Sequence, residues 1–345
     1  MKSLCTLLLA ALLLSGCSEP PHSVSNHQVY VFGTLVDITV WGAHTEQEDK
    51  AVAAIGSDFQ RMHHEWHAWK PGPLVEINKA LADGESATVI PSLIPIIEQS
   101  TVLSRQSEGL FDPAIGGLLN LWGFQGDGRP NGPPPEREAI AAWVEANPRM
   151  DDLTLQGDTL RSANPAVQLD FGAFAKGYAV DLAIARLREF GIEDAIINAG
   201  GDLRAIGSKD GKPWRVGIRH PQGEGVLAAL EVSGDESVFT SGNYERYREH
   251  EGVRYNHILD PRSGMPVDGV TSVTVIHDNG AVADAAATAL VVAGAKEWHR
   301  IARQMGIKYV MLVDDKGVVY MNPRMQQRVQ FQETPPADIR ISDPL

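Results

Sequence analysis

The chain has 345 residues, of which 44 are Asp or Glu and 30 are Lys or Arg, giving a formal net charge of −14 at pH 7. That length is ample for a large hydrophobic core. The acidity argues against nucleic acid as a partner, because phosphate contacts need clustered Lys and Arg, but it allows a nucleotide cofactor held by a few local donors.

The N-terminal residues 1–16 are predicted to be a secretion signal. Lys2 supplies the positive charge, and the apolar run from Leu4 to Leu14 is too short to span a bilayer as a helix. The run ends in Leu-Ser-Gly-Cys17, which resembles a bacterial lipobox. We therefore expect cleavage before Cys17 and acylation of that residue; a plain signal peptide with an incidental cysteine is the alternative.

Lipidation would anchor the chain to a membrane of the bacterial cell envelope, facing the periplasm. Ser18 rather than Asp follows the cysteine, so by resemblance to enterobacterial lipoproteins the outer membrane is favoured over the inner one. Cys5 would leave with the signal, and no free thiol would be left in the mature chain. We therefore expect no disulfide, no zinc–thiolate site and no cysteine nucleophile.

The rest of the chain divides into three parts. Residues 17–28 are polar and contain proline, which is typical of a tether between a lipid anchor and a folded domain. Residues 29–332 carry the predicted helices and strands, in one domain or in two intimate lobes. Residues 333–345 are predicted to be a loose polar tail.

Helix and strand patterns mix irregularly within the predicted domain. The run from Val29 to Trp41 alternates as a strand does, and Thr45 caps a helix whose apolar residues recur every three or four positions. Further helices are predicted at about 92–106, after Pro113, and at 173–190, 281–293 and 296–305, with strands at 195–198, 214–218, 228–232 and 270–276 and hairpins at 153–161 and 309–321. The lack of a strict βαβ rhythm predicts an α+β fold, a layered α/β sandwich rather than a Rossmann sheet.

Two short motifs resemble a metal site and a nucleotide-binding loop, but their spacing fits neither. In His63-His-Glu-Trp-His67, Glu65 is misplaced for a zincin, which needs His-Glu-x-x-His, so we expect a polar helix end rather than a metal site. The glycines between Asn198 and Asp202 match neither a dinucleotide-binding fingerprint nor a P-loop. They either form a tight turn or let the backbone approach a ligand.

The segment from Asp170 to Tyr178 runs from a strand into a helix. Asp170 at the junction could simply cap that helix. The free N–H groups of a helix start, small neighbouring residues and Lys176 one turn later also make an anion site. We favour the ligand interpretation, because burying an unpaired lysine on an apolar face is costly.

A third set of candidates lies further along the chain. Asp284 and Thr288 are four residues apart on one face of an Ala-rich helix, and they offer the oxygen ligands that Mg²⁺ prefers. His257 lies at a predicted strand end, before a Pro/Gly turn. Taken singly, each of these residues has a simpler structural explanation. The aspartate could be a solvated surface residue, the threonine an ordinary helix residue, and the histidine a residue at a strand end. Together they indicate phosphoryl chemistry with a hard metal ion.

Several ordered segments resemble the ApbE family of FAD:protein FMN transferases, which are often lipoproteins. They are Phe32-Gly-Thr34, Gly109 to Pro113, Leu169 to Asp181, Asn198 to Asp202, His257 to Pro261 and Ala283 to Leu290. The resemblance covers nearly the whole chain after the signal. It implies Mg²⁺-dependent cleavage of FAD, transfer of FMN to a Thr or Ser hydroxyl of a target protein, and release of AMP.

The resemblance also implies roles for individual residues. Metal ligation falls to the backbone carbonyl of Ala173 and to the side chains of Asp284 and Thr288. Contacts to the flavin nucleotide fall to Phe32, Trp69, Leu110, Phe111, Asp112, Asp170, Lys176 and Ile258. The acceptor hydroxyl is a poor nucleophile, and we predict that the imidazole of His257 is its general base.

Two other functions would use the same residues. An FAD pyrophosphatase would pass FMN to water and release FMN and AMP, whereas a lipid-anchored flavin-binding module would leave FAD intact. For a transferase, the resemblance implies acceptors among envelope redox proteins, such as subunits of Nqr- or Rnf-type complexes.

Overall fold

The computed structural model describes residues 23–42, 44–126, 128, 130–332 and 335–345. The secretion signal and the predicted lipidation site Cys17 lie outside the described residues. None of the described helices is both long and apolar enough to cross a membrane. Helices and largely antiparallel sheets follow one another along the chain, so the α+β prediction is confirmed.

A nine-stranded sheet is the main element of the fold. Numbered along the chain and given in spatial order, its strands are β1 (Ser23–Val31), β2 (Thr34–Gly42), β6 (Ala195–Ala199), β7 (Asp202–Gly207), β10 (Gly234–Gly242), β15 (Val270–His277), β16 (Tyr309–Asp314), β17 (Val319–Met321) and β19 (Ile339–Ile341). Neighbouring strands are antiparallel except for β17 and β19. β15 lies inside the sheet and is buried from Val270 to Ile276, as expected of a strand covered on both faces.

Four smaller sheets complete the β-structure of the described residues. They comprise β3 (Ala87–Thr88), β5 (Thr159–Ser162) and β4 (Leu153–Gln156); β18 (Gln330–Phe331), β9 (Val226–Val232) and β8 (Trp214–Arg219); β11 (Tyr247–His250) with β12 (Val253–Asn256); and β13 (Leu259–Asp260) with β14 (Met265–Pro266). The β8–β9–β18 sheet packs on one face of the nine-stranded sheet through a core that includes Trp214, Leu230 and Met311.

Helices form the layer that carries the candidate residues Lys176, Asp284 and Thr288. They are α1 (Glu46–Glu65), α2 (Pro73–Ala82), α3 (Ile94–Gln106), α4 (Gly116–Leu121), α5 (Arg137–Ala146), α6 (Ala175–Glu189), α7 (Gly280–Gln304) and α8 (Pro323–Arg328). α7 packs against β10 and β15, α6 packs against α7, and α1 packs against α6. The largest hydrophobic core lies between these helices and the nine-stranded sheet.

Local signals in the sequence explain two of these helices. The Oγ1 of Thr45 accepts a hydrogen bond from the N–H of Glu48 at 3.2 Å, so α1 begins where the capping residue predicts. In α7, Gly294 has φ 69° and ψ 177°, which breaks the helix where the sequence predicted two separate helices. The Ala-rich half before this break is buried against the sheet.

The structure corrects the two predicted ends of the domain. β1 begins at Ser23 and pairs with β2 in continuous register up to Val31, so residues 23–28 are not tether. Polar side chains hid this strand, because an edge strand needs to bury only alternate residues. In the predicted loose tail, Ile339–Ile341 pairs with β17, whose open edge offers backbone hydrogen bonds whatever side chains the partner carries.

Candidate active site

Helices α6 and α7 touch backbone to backbone at Gly177 and Gly280. A Cβ atom on Gly177 would lie 2.2 Å from the carbonyl oxygen of Gly280, so only glycine permits this approach. The contact brings the N–H of Gly177 to 3.0 Å from Oδ2 of Asp284, to which it donates a hydrogen bond. The predicted metal ligand Asp284 therefore faces the first turn of α6, next to Lys176.

The first turn of α7 is fixed by side chains that accept its free N–H groups. Asn279 Oδ1 accepts from Val282 at 2.8 Å, and the Asp181 carboxylate accepts from Gly280 at 2.8 Å and from Ala281 at 3.1 Å. Arg204 pairs with the same carboxylate. These contacts fix the start of α7, and Asp284 lies one turn after that start.

Asp284 and Thr288 share a face of α7, as predicted. Asp284 is 4% exposed, and within the described part of the chain its carboxylate accepts one hydrogen bond, from Gly177. Burial raises its pKa, and the nearby charge of Lys176 offsets only part of this effect. The Oγ1 of Thr288 lies 3.1 Å from the Oγ of Ser241 on β10. A buried carboxylate with spare lone pairs and a hydroxyl one turn away fit a hard divalent cation.

Lys176 forms an ion pair with Asp202, at the start of β7. Burial would lower the pKa of Lys176, but the carboxylate of Asp202, with smaller contributions from Asp284 and Glu245, outweighs burial and raises it. The backbone N–H of Thr240 donates to the other oxygen of Asp202 at 2.9 Å. Lys176 is therefore a permanent positive charge held beside Asp284.

The side chain of His257 is oriented by a nearby main-chain carbonyl group. Its Nδ1 lies 3.1 Å from the carbonyl oxygen of Arg246, which also accepts the backbone N–H of His257. A carbonyl only accepts, so Nδ1 carries the proton and Nε2 has a free lone pair. Burial lowers the pKa of His257 to about 4, helped by the positive charges of Arg246 and Lys176. The imidazole is thus neutral over the physiological range and able to accept a proton.

The loop before α6 is held from two sides. Asn78 accepts the N–H of Leu169 at 2.7 Å and donates to its carbonyl at 2.9 Å. Asp170 accepts from the N–H of Gly172 at 2.9 Å and from the side chain of Gln125 at 3.0 Å. Asp170 therefore orders this loop rather than capping α6, whose N-cap residue is Phe174. The half-buried Ala173 lies within the loop.

The side chains of the turn Leu110-Phe111-Asp112 are too deeply buried to form an open binding surface. All three residues are at most 6% exposed. The carboxylate of Asp112 accepts hydrogen bonds from Ser104 at 2.9 Å and from the N–H groups of Ala114 and Met150, and burial raises its pKa to about 6. The side chain of Asp112 thus holds the turn together, and backbone atoms are what the turn can offer a nucleotide.

Aromatic and imidazole rings gather at the C-terminal end of α1. Phe32 lies at the tip of the β1–β2 hairpin, with its ring centroid 5.9 Å from that of His63. The ring of His63 packs edge to face on His67, and His67 packs in the same way on Trp69 at 4.4 Å. The buried Nε1 of Trp69 has no hydrogen-bond partner among the described residues. An unsatisfied buried donor is a reason to expect a ligand here.

Further rings connect this end of α1 with α6. Trp66 packs on Tyr178, which stacks on Phe174, and Phe174 lies 6.5 Å from Phe111. Ile258 is 5% exposed, and its carbonyl accepts the N–H of Val267.

The sequence did not assign roles to two residues of this cluster. Asp202 is the ion-pair partner of Lys176, and its only signal was its place at the end of the Asn198–Asp202 segment. Ser241, which meets Thr288, lies in a strand that was not predicted. Both belong to the nine-stranded sheet, whereas Lys176 and Thr288 belong to the helices.

The sequence of this chain is similar to those of known proteins. The sequence model described as "ApbE family" matches residues 32–311. An FAD:protein FMN transferase of Rhodobacter capsulatus is 46% identical; the match covers 97% of this chain and 65% of that protein, so the chain spans about two thirds of it. An FAD:protein FMN transferase of Vibrio cholerae is 31% identical over 91% of this chain and 94% of its own length.

Solved structures give the same result for the fold. The crystal structure of the ApbE protein of Thermotoga maritima superposes with a TM-score of 0.80 at 30% identity, covering 90% of this chain and 100% of that one. The apo form of the flavinyl transferase ApbE of Pseudomonas stutzeri gives a TM-score of 0.78 at 29% identity, covering 91% and 98%.

Proposed function

The chain belongs to the ApbE family as an FAD:protein FMN transferase, and we propose that it moves FMN from FAD to a Thr or Ser hydroxyl of an acceptor protein, releasing AMP. The observation that carries the proposal is the buried Asp284 carboxylate beside Lys176, with a neutral His257 near enough for the charge of Lys176 to lower its pKa. Carboxylate, cation and base are the groups that in-line attack on a pyrophosphate requires.

We propose Mg²⁺ as the metal, held by the side chains of Asp284 and Thr288 and by the carbonyl of Ala173. The buried carboxylate with spare acceptor capacity supports this assignment. Bound Mg²⁺ would supply positive charge to the phosphate oxygens that gain charge in the transition state.

The protein side chains have separate tasks in the proposed reaction. Lys176 neutralises charge on the pyrophosphate from the side of Asp202. Nε2 of His257 takes the proton of the acceptor hydroxyl, which attacks the phosphorus of the FMN half. The bond to the AMP half then breaks, and AMP leaves with the electron pair of that bond. Phe32 and Trp69 provide ring surfaces for the flavin or adenine, and the free Nε1 of Trp69 can donate to a ring acceptor.

The acceptor proposed here is a redox protein of the cell envelope, such as an Nqr- or Rnf-type subunit. We also propose that the chain is anchored by a lipid on Cys17 and faces the periplasm, from the outer membrane rather than the inner one. This proposal depends on the lipobox alone. Cys17→Ser should release the protein from the membrane fraction, and membrane retention of that variant would refute the anchor.

The experiment that tests the activity uses the purified protein with FAD, Mg²⁺ and a candidate acceptor, followed by a denaturing gel. Transfer predicts a fluorescent flavin that migrates with the acceptor. Release of FMN and AMP with an unlabelled acceptor would identify a pyrophosphatase. Intact FAD after prolonged incubation would identify a binding protein.

A further inference from the structure

A second group of metal-type ligands lies between β1 and the start of α1. His27 on β1, His44 just before α1 and Glu48 in its first turn each offer one ligand atom, and these atoms all lie within 4.8 Å of one another. Within the described ranges, no other set of three or more His, Cys, Asp or Glu side chains converges in this way. None of these three residues has a task in the proposed transfer.

The distances within this group are close to those of a metal site. Nε2 of His27 lies 2.8 Å from Oε1 of Glu48, and Nδ1 of His44 lies 3.3 Å from Oε2 of the same carboxylate. Ligand atoms around a tetrahedral Zn²⁺ at about 2.0–2.1 Å are roughly 3.3 Å apart. The two imidazole rings are nearly parallel, with their centroids 6.4 Å apart. Small side-chain movements would therefore bring all three atoms onto one ion.

Glu48 is an unusual residue for its position. It is 2% exposed, on the face of α1 that otherwise buries Ala51, Ile55 and Phe59. A buried charge is costly unless it is paired. Its surroundings are two imidazoles and the hydroxyl of Ser25, which donates to it. Ser25 and His27 on β1 and His44 before α1 thus all face the carboxylate of Glu48.

His44 lies between two carboxylates. Its Nδ1 faces Glu48, and its Nε2 lies 3.3 Å from Oδ1 of Asp49. A neutral imidazole has a single N–H and can serve only one of two ionised carboxylates. With a metal on Nδ1, Nε2–H donates to Asp49, which is the carboxylate–histidine–metal arrangement common in protein metal sites.

We propose that His27, His44 and Glu48 bind one divalent transition-metal ion of the zinc class, which ties β1 to α1. Two imidazoles with one carboxylate favour Zn²⁺ over Mg²⁺, which prefers oxygen ligands alone. β1 is the edge strand of the nine-stranded sheet and is its first described element. The ion would brace the fold where the polypeptide enters it.

The proposal is tested with the full chain after chelator treatment, by calorimetric titration with Zn²⁺ in the presence of excess Mg²⁺, which would occupy the proposed site at Asp284. We expect one Zn²⁺ per wild-type chain and an affinity at least about tenfold lower in His44→Ala, because losing a ligand should cost at least as much as losing a residue that only orients a ligand. The side chain of His44 is 53% exposed, so its removal spares the fold. Flavin transfer should be unchanged in this variant.

A matched control is His250→Ala, which removes a partly exposed histidine of β11 and should retain wild-type Zn²⁺ affinity. A rise in thermal midpoint on adding Zn²⁺ is expected for the wild type and for His250→Ala, but not for His44→Ala. Equal Zn²⁺ affinity in wild type and His44→Ala would overturn the proposal. So would a wild type that binds no stoichiometric Zn²⁺, or an equal loss of affinity in His250→Ala.

Discussion

The N–H of Gly177 donates a hydrogen bond to Oδ2 of Asp284 across 3.0 Å, although the two residues are 107 positions apart in the chain. The bond exists because α6 and α7 meet without side chains at Gly177 and Gly280. It orients the carboxylate that we propose as a magnesium ligand and places it beside Lys176. The site therefore depends on the absence of a side chain at position 177.

Replacing Gly177 with alanine should damage both the fold and the site. The new Cβ would lie 2.2 Å from the Gly280 oxygen and 2.5 Å from its carbonyl carbon, so the helices must move apart. We expect the free energy of unfolding in urea to fall by about 1–3 kcal/mol, as for other overpacked sites, together with a loss of transfer activity. The control is Gly56→Ala in α1, whose Cβ would meet only Val29 at 3.9 Å. An active Gly177→Ala of wild-type stability would contradict the proposed geometry.

Asp284→Asn should abolish most activity while keeping the hydrogen bond from Gly177, because the amide oxygen still accepts it. The charge that holds the metal is lost, and metal stabilisation of a transition state is worth several kcal/mol, so we expect a decrease in kcat/KM of at least about a hundredfold. Excess Mg²⁺ should restore part of it. Asp278→Asn, at a side chain that is 83% exposed, is the control. Full activity of the wild type in EDTA would remove the metal from the mechanism.

His257→Gln should reduce transfer to an acceptor by about 10²–10⁴-fold, the usual contribution of a general base, without a comparable change in FAD binding. His250→Gln serves as the control, because that histidine lies outside the cluster. Steady-state kinetics with a threonine acceptor and a separate FAD titration measure the two effects. Unchanged transfer by His257→Gln would show that another group takes the proton.

The lowered pKa of His257 also predicts a pH profile. Its neutral, basic form persists down to about pH 4 in the folded protein, so at Mg²⁺ concentrations high enough to keep Asp284 ionised, kcat/KM should be level through the neutral range and fall on the acid side near pH 4. In the unfolded chain the imidazole gains its proton near pH 6.5. The unfolded state therefore binds more protons between those values, and this group should make the protein less stable as the pH falls through that window. An acid limb near pH 6.5 that saturating Mg²⁺ does not remove would argue against His257 as the base.

Lys176→Met should raise the KM for FAD and destabilise the protein. The methionine keeps the apolar stem but leaves the carboxylates of Asp202 and Asp284 without their cation, and partly buried charges left unpaired are costly. The double variant Lys176→Met/Asp202→Asn removes both charges of the pair. It should recover most of the stability measured in urea but not the KM. If the double variant recovered both its stability and its KM for FAD, the role of Lys176 would be limited to neutralising Asp202.

Much of the helical half of the site was predictable from the sequence, because the relevant signals are local. The four-residue spacing put Asp284 and Thr288 on one face of α7, and a helix that carries Lys176 follows Asp170 as expected, although it begins at Ala175 and Lys176 is its second residue. The break in α7 at Gly294 was also predictable, because it depends on a single glycine. Each of these features depends on helical periodicity or on a single capping position.

The parts that escaped prediction depend on register between distant strands. Asp202 meets Lys176 because β7 lies beneath α6, and no local pattern encodes that placement. The burial of Asp112 follows from its contact with Met150, 38 positions away. β1 was missed at Ser23 because alternate polar residues along an edge strand resemble a linker.

FMN transfer itself is tested most directly by mass spectrometry of the acceptor after reaction with FAD and Mg²⁺, with AMP measured in the same sample. We predict an acceptor heavier by one FMN less water, with the added mass on a Thr or Ser, and one AMP released for each flavin attached. An unmodified acceptor alongside stoichiometric free FMN and AMP would contradict the transferase mechanism.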